Sequence, residues 1–330
     1  MKKLIMNFVN QLKHALKITE DAELTESDSE IRNVVIHGMG SSGIAGNIAA
    51  GAIALEVKIP ITVNKDFSLP NYVNKHTLVI ITSYSGDTEE TVTALEEAIV
   101  KHAKIVCITS GGKIREIATQ RKIDLVLIPK DLPPRGALGY LLVQILHVLN
   151  FNYLIFTVFK KHLLATINLI TAEENNIVRD ARETAQLLIG KWPVIYTSSG
   201  MESVALRFHQ QLNENAKMLC SHNVFPELNH NELQGWKKKN GNIFVVIFRN
   251  ETDDMRTSQN IDISGEIISH YGAGIKEVYS RGNSLLEQML YHIHWGDWVS
   301  YFLAEMRGID TMDTREIIYF KSAPARVEQH

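Results

Sequence analysis

The sequence predicts an α/β protein made of two tandem, doubly wound parallel-sheet units, and three observations lead there. Continuous β-branched runs such as N-V-V-I-H (33–37) and T-L-V-I-I-T (77–82) alternate with helical stretches, the pattern of a parallel sheet covered on both faces. The same order of elements occurs twice. The chain's 330 residues also exceed what one hydrophobic core usually serves, so two domains of ordinary size are expected.

In chain order, M-K-K-L-I-M-N-F-V-N-Q-L-K-H-A-L carries Leu4, Ile5, Phe8, Val9, Leu12 and Leu16 at helical spacing. It reads as a docked amphipathic helix, not a secretory leader. N-V-V-I-H-G-M-G-S-S-G-I gives strand, glycine-rich turn and the small-residue helix A-G-N-I-A-A-G-A-I-A. I-P-I-T-V is a second strand. The third, T-L-V-I-I-T, opens into S-Y-S-G-D-T-E-E-T and a helix through Val100, and K-I-V-C-I-T-S-G-G and D-L-V-L-I-P continue the alternation.

The apolar run from Ala137 to Phe159 is broken by Gln144, His147, Asn150 and Asn152, so a buried helix followed by a turn is expected, with no membrane partner. Helical sequence around 138–190 joins a second copy. There P-V-I-Y-T-S-S-G-M-E-S-V-A-L-R-F-H is strand, loop and helix, and N-I-F-V-V-I-F-R-N-E-T-D-D is a strand opening into a polar loop. A helix over 261–270 and the strand I-K-E-V-Y-S complete the parallel. The expected domains are residues 1–152 and 153–330, with a mobile tail S-A-P-A-R-V-E-Q-H.

Composition narrows the class. With 45% hydrophobic and 22% charged residues, the chain reads as a soluble globular protein. A formal net charge of −3 gives no electrostatic reason to expect nucleic acid. Cys107 and Cys220 are too few for a disulfide framework and fit a reducing, cytoplasmic compartment, with Cys107 a small buried hydrophobe in I-V-C-I-T.

The two copies differ in their loops. Gly38, Gly40 and Gly43 become a single Gly200, and S-Y-S-G-D-T becomes the acidic F-R-N-E-T-D-D, so an anion site is expected in the first copy only. Ser83, Ser85 and Thr88 supply hydroxyls just before a helix whose first amides favour an anion. Such a cradle suits a sugar phosphomonoester better than a triphosphate. Ser85 or Asp87 acting as a helix cap is the plainer alternative. The run Gly38-Met-Gly40-Ser-Ser-Gly43 also fits the dinucleotide fingerprint, but Val63-Asn64-Lys65 stands where its ribose-binding acid is expected, with Asp66 slightly late.

G-M-G-S-S-G, S-Y-S-G-D-T-E-E-T and the duplicated unit together resemble the sugar isomerase (SIS) domain family. That resemblance implies flavodoxin-like domains and a phosphate clamp built from Gly40, Ser41, Ser42, Ser83, Ser85 and Thr88. SIS domains also occur as sugar-phosphate sensors, so a non-catalytic binding or regulatory protein stays open, with a nicotinamide-dependent oxidoreductase as a third reading.

Chemistry needs more. Proton transfer between adjacent sugar carbons requires a base, a group that opens the ring and a cation for the developing enediolate. Glu214 and His230 are a carboxylate and an imidazole that a fold could bring to one substrate. N-E-N-A-K followed by E-L-N-H-N-E is similar to the bifunctional phosphoglucose/phosphomannose isomerases over nearly the whole chain. The likeness implies an aldose–ketose isomerase interconverting glucose 6-phosphate and/or mannose 6-phosphate with fructose 6-phosphate, without cofactor or metal.

By the same resemblance Glu214 is the base and Arg135, in P-P-R-G-A-L-G, stabilises the enediolate. His230 assists ring opening across the interface of a homodimer with shared active sites. D-T-R-E-I-I-Y-F-K would place Thr314 against the substrate and Lys321 at the ring-opening lysine. Plainer roles exist for each: Glu214 paired with Lys217, Arg135 bridging the domains, Thr314 capping a helix, Lys321 on the surface. One departure is visible, G-M-G-S-S-G where the family more often has G-M-G-G-S-G, which adds the Ser41 hydroxyl. Two apparent metal pairs, His292 with His294 and His230 with Glu232, stand at i and i+2, where helical side chains face apart.

Overall fold

The computed structural model describes residues 1–156, 158–239 and 241–322; the tail from 323 on, where a mobile segment is expected, lies outside the described residues. The chain opens with α1 (Lys2–Met6) and α2 (Phe8–Asp21). The first sheet unit follows as β1 (Asn33–His37), α3 (Gly40–Ala52), β2 (Ile61–Asn64), β3 (Thr77–Ser83), α4 (Glu89–Val100), β4 (Lys104–Thr109), α5 (Gly112–Arg121) and β5 (Asp124–Leu127). A 3₁₀ turn, Pro134–Gly136, leads into α6 (Leu138–Phe151) and α7 (Val158–Leu188). The second unit runs β6 (Trp192–Ser198), α8 (Glu202–Glu214), β7 (Ser221–Phe225), β8 (Ile243–Arg249), α9 (Met255–His270) and β9 (Gly274–Tyr279). Then come α10 (Leu285–Met306) and α11 (Arg315–Ser322).

Both sheets are parallel, with orders β2-β1-β3-β4-β5 and β7-β6-β8-β9. The direction of winding reverses between β1 and β3 and again between β6 and β8. Ligands of open α/β sheets bind beyond the carboxyl ends of strands at such a point. This is the flavodoxin-like order, not that of the dinucleotide fold, so the G-x-G-x-x-G match loses its structural setting.

The strands alternate between two cores, as their period of two requires. Val34, Ile36, Leu78 and Ile80 face a central core, whereas Val35, Val79 and Ile81 face an outer one under α4 and α5. In the second sheet Phe244, Val246 and Phe248 join that same central core, and Val245 and Ile247 face away. Leu141 of α6, Ile170 of α7, Phe208 of α8 and Trp298 of α10 fill the shared layer. The two sheet units are therefore joined through one continuous apolar interior.

The apolar run after Ala137 is the buried α6 followed by a turn at Asn152 and Tyr153. Among the described residues no helix is long and apolar enough to cross a membrane. Two elements differ from expectation. β7, S-H-N-V-F, is a half-buried edge strand with no apolar run to announce it. The α9 helix starts at Met255 instead of 261, because the Asp254 carboxylate caps it by accepting from the Arg256 and Thr257 amides.

Candidate active site

The carboxyl ends of β1 and β3 bring the two predicted loops side by side. α3 begins at Gly40, whose φ of +49° is left-handed and suits glycine. Ser41 and Ser42 follow in its first turn, both buried. The Ser42 hydroxyl accepts from the Tyr84 amide at 3.1 Å, tying the glycine-rich loop to the S-Y-S-G-D-T loop. Within that loop the Gly86 amide donates to Ser83 Oγ at 3.1 Å, and Ser83 Oγ stands 3.4 Å from Thr88 Oγ1. Gly86 is required by close approach, since a Cβ there would meet the Gly111 carbonyl oxygen at 1.8 Å.

The helix-cap alternative does not hold. Asp87 turns away from α4 and accepts from the Lys113 amide of α5 at 3.0 Å, while exposed Ser85 accepts from the Asp87 amide at 3.3 Å. Thr88 stands at the N-cap position of α4 without a side-chain cap bond. The first-turn amides of Glu89 and Glu90 consequently have no protein acceptor among the described residues. Uncapped amides beside hydroxyls are a geometry that suits an anion, the cradle expected from the sequence.

The Arg135 loop connects this cradle to the second sheet unit. Tyr84 Oη accepts from the Leu132 amide at 2.8 Å, and the 3₁₀ turn Pro134–Gly136 carries Arg135 inward. Arg135 Nε donates to Asn215 Oδ1 at 2.9 Å, and Nη2 donates to the Thr311 carbonyl. Its Nη1 lies 3.6 Å from Glu214 Oε2. Burial lowers the guanidinium's pKa, with the Glu214 charge acting in the opposite sense. Behind it the buried Arg207 donates to the Arg135 carbonyl at 2.9 Å and pairs with Asp297 at 3.1 Å.

Glu214 ends α8 and lines a cleft of about 510 Å³ together with Asn213, Lys217, Asp313 and Thr314. Its side chain is 29% exposed while that of Arg135 is 3% exposed, so the carboxylate is reachable and the cation beside it is fixed. Lys217 does not pair with the Glu214 carboxylate. It donates to the Glu214 backbone carbonyl at 2.5 Å, which leaves the carboxylate to Arg135 and the cleft. Thr314 lines the cleft, and its carbonyl accepts the Ile318 amide at the start of α11.

His230 is not brought to this cleft. F-P-E-L-N-H-N-E-L-Q-G-W forms two 3₁₀ turns, Glu227–His230 and Glu232–Lys237, broken at Asn231, and not a helix. Glu232 accepts from the Tyr196 hydroxyl and from Asn223 Nδ2, both at 2.5 Å, and so fastens this segment to the sheet. Glu214 sits where α8 returns to the starting edge of the second sheet, and β7 then runs to the opposite edge before His230. The five-residue strand β7, about 16 Å long at roughly 3.3 Å per residue, lies between the two in the chain.

Lys321 is exposed on α11, beyond the residues that line the cleft. His292 Nε2 meets the Arg249 carbonyl at 3.2 Å and His294 Nε2 meets Glu174 at 2.7 Å, so these two face apart as expected. Among the described residues no cluster of three or more His, Cys, Asp or Glu could hold a metal ion. Asn215, Thr311, Arg207, Asp297 and Lys217 escaped sequence reasoning as parts of the site; only N-E-N-A-K, which contains two of them, offered a signal.

Tandem parallel sheets, with an uncapped helix start at the switch point of the first, define a double SIS-domain protein. Residues 29–129 match the SIS domain model, and residues 177–323 match the bacterial phospho-glucose isomerase C-terminal SIS domain. The chain is 35% identical to the bifunctional phosphoglucose/phosphomannose isomerase of Caldicellulosiruptor bescii over 98% of either chain. It is 38% identical to that of Thermoplasma acidophilum over 86% of this chain and 87% of the other. The C-terminal domain of glucosamine-fructose-6-phosphate aminotransferase from Francisella tularensis shares the fold, with TM-score 0.75 at 16% identity over 94% of this chain and 96% of that one. The chain belongs to the bifunctional phosphoglucose/phosphomannose isomerase family, and it is an isomerase.

Proposed function

We propose that this isomerase interconverts glucose 6-phosphate and mannose 6-phosphate with fructose 6-phosphate through an enediolate. The observation that carries the reading is the pair of Glu214 and Arg135, 3.6 Å apart, in which a reachable carboxylate on the cleft wall stands beside a buried guanidinium. The carboxylate removes a proton from one carbon and returns it to the next. The guanidinium, already oriented by Asn215 and Thr311, stabilises the oxyanion that forms between those events without having to reorganise. Thr314, on the facing wall, contacts the sugar near the reacting carbons, where the two aldose epimers differ.

The substrate's phosphate is held by Ser42, Ser83, Ser85 and Thr88 with the first amides of α3 and α4. Ser41, buried in the same turn, adds a hydroxyl to this wall. His230 and Lys321 assist ring opening. Because β7 separates His230 from Glu214 within one chain, the active unit in this reading is a homodimer in which a second copy supplies the histidine. The scheme uses neither metal nor cofactor. The domain division at residues 152 and 153 belongs to the same reading; it falls in the turn between α6 and α7, with one sheet on each side. A cytoplasmic location fits the two free cysteines, Cys107 and Cys220.

Glu214→Gln tests the reading. The amide keeps the shape and removes the base, so kcat on both aldose phosphates falls roughly 10³-fold, within the range general-base catalysis supplies. Near-normal turnover in a coupled assay would sink the assignment.

A further inference from the structure

We propose that Lys217 is a positioning residue, a clamp that holds the turn carrying Glu214 against the segment carrying Thr314. The inference rests on Glu214 being the base.

Helical hydrogen bonding continues past Glu214, the last residue of α8. The Asn215 and Ala216 amides continue the helical pattern to the Gln211 and Leu212 carbonyls, and the Met218 amide reaches back to Leu212 at 3.1 Å. Lys217 closes this turn with φ of +50°. That left-handed position after a helix is usually held by glycine, because a side chain there strains the backbone. Backbone preference alone therefore gives no reason for a lysine.

Its side chain does. Lys217 Nζ donates to the Glu214 carbonyl at 2.5 Å and to the Asp313 carbonyl at 2.7 Å. The first acceptor is one of the carbonyls a helix C-terminus leaves without an internal partner. The second belongs to the residue immediately before Thr314. One ammonium thus spans the two walls of the cleft, and Glu214, Lys217, Asp313 and Thr314 all line it. Arg307 Nη1 supports the same turn by donating to the Ala216 carbonyl at 2.5 Å. Burial and the nearby Arg135 charge both disfavour the ammonium, whereas Asp313, Glu214 and Glu316 favour it. A lysine serving only solubility would extend into water, away from this guanidinium.

The geometry fixes the role as alignment. The ammonium bonds backbone oxygens and leaves the Glu214 carboxylate unengaged by it, so its loss would loosen the spacing between base and Thr314 without removing either. Displacement of a catalytic group by about 1 Å can cost around 100-fold in rate.

Lys217→Gly separates alignment from stability, because glycine suits the left-handed backbone while removing both bonds. The expected result is an unchanged or raised Tm, KM within about twofold and kcat lowered about 10- to 100-fold. Lys217→Met, which keeps the aliphatic stem, should show the same loss of kcat. Full kcat in Lys217→Gly overturns the clamp, and so does a raised KM at full kcat, which would mark a binding contact. Glu214→Gln in the same assay keeps the two readings apart. If it is inactive while Lys217→Gly is fully active, only the clamp fails; if it is active, the base assignment fails and the clamp with it.

Discussion

The junctions β3–α4 and β8–α9 occupy the same place in the two copies of the fold, yet they treat a helix N-terminus in opposite ways. At the first, Thr88 leaves the amides of α4 open and Asp87 is diverted to α5. At the second, Asp254 places its carboxylate on the first turn of α9, accepting from the Arg256 amide at 2.9 Å, the Thr257 amide at 3.1 Å and the Thr257 hydroxyl at 2.5 Å. Those bonds, above all the one from the Thr257 side chain, hold the Asp254 carboxyl below the usual carboxylate range. A helix start favours an anion in either case. One copy supplies the anion from its own chain, and the other leaves the position open. The same shift appears between β1–α3 and β6–α8, where a bare glycine-rich turn is replaced by a 3₁₀ turn and an acidic residue, Glu202, in the first turn.

The most severe way to break this contrast is to give α4 the cap that α9 has. Thr88→Asp should leave the fold intact, since aspartate is a good N-cap. It should also place a carboxylate against the substrate's phosphate, and like charges brought together cost several kcal/mol. KM for fructose 6-phosphate is therefore expected to rise on the order of 10³-fold, read by steady-state kinetics, with Tm unchanged. An unaltered KM would show that the open amides of α4 are not the phosphate site.

A second contrast concerns acid. His37 ends β1 beside the cradle, is fully buried, and has its pKa lowered to about 4, chiefly by burial. Thr197, the penultimate residue of β6 and three before Gly200 as His37 is three before Gly40, is buried too but cannot titrate in this range. Once unfolded, the imidazole takes a proton near pH 6.5; folded, it takes one only near 4. The unfolded state therefore binds protons first as pH falls, and stability drops across that window. A displacement of this size corresponds to at most about 3 kcal/mol. His147 and His292 act in the same direction, with pKa values lowered to about 4 and about 3. The urea midpoint should fall between pH 6.5 and 4, and His37→Gln should flatten that slope. An unchanged slope in the variant would remove His37 from the account.

What the sequence disclosed and what it concealed divide along the same lines. The uncapped loop was legible because its parts are local: strand end, hydroxyls, glycine and helix start lie within S-Y-S-G-D-T-E-E. The duplication was legible because a buried parallel strand is a continuous apolar run. β7 was not, because S-H-N-V-F at a sheet edge needs no such run, and missing it hid the strand between Glu214 and His230. The setting of Arg135 was also out of reach. Its partners Asn215 and Thr311 are 80 and 176 residues away in sequence, and only the shared central core brings them to one guanidinium. Lys217 was visible as a neighbour of Glu214, but its bond to a backbone carbonyl depends on a left-handed turn that no side-chain pattern reveals.

The smallest expected effect falls on the filled junction. Asp254→Ala removes the cap of α9, and a lost cap in a chain of this length should lower Tm by roughly 2 °C. Catalysis should not notice: KM and kcat for fructose 6-phosphate stay within about twofold, because this helix start serves packing in the second copy. The variant also uncovers donors that the carboxylate had occupied, so added inorganic phosphate should recover part of the lost Tm in Asp254→Ala beyond its effect on the parent protein. If phosphate stabilises both proteins equally, the second junction has lost more than its open cap, and the carboxylate is not simply standing in for an anion.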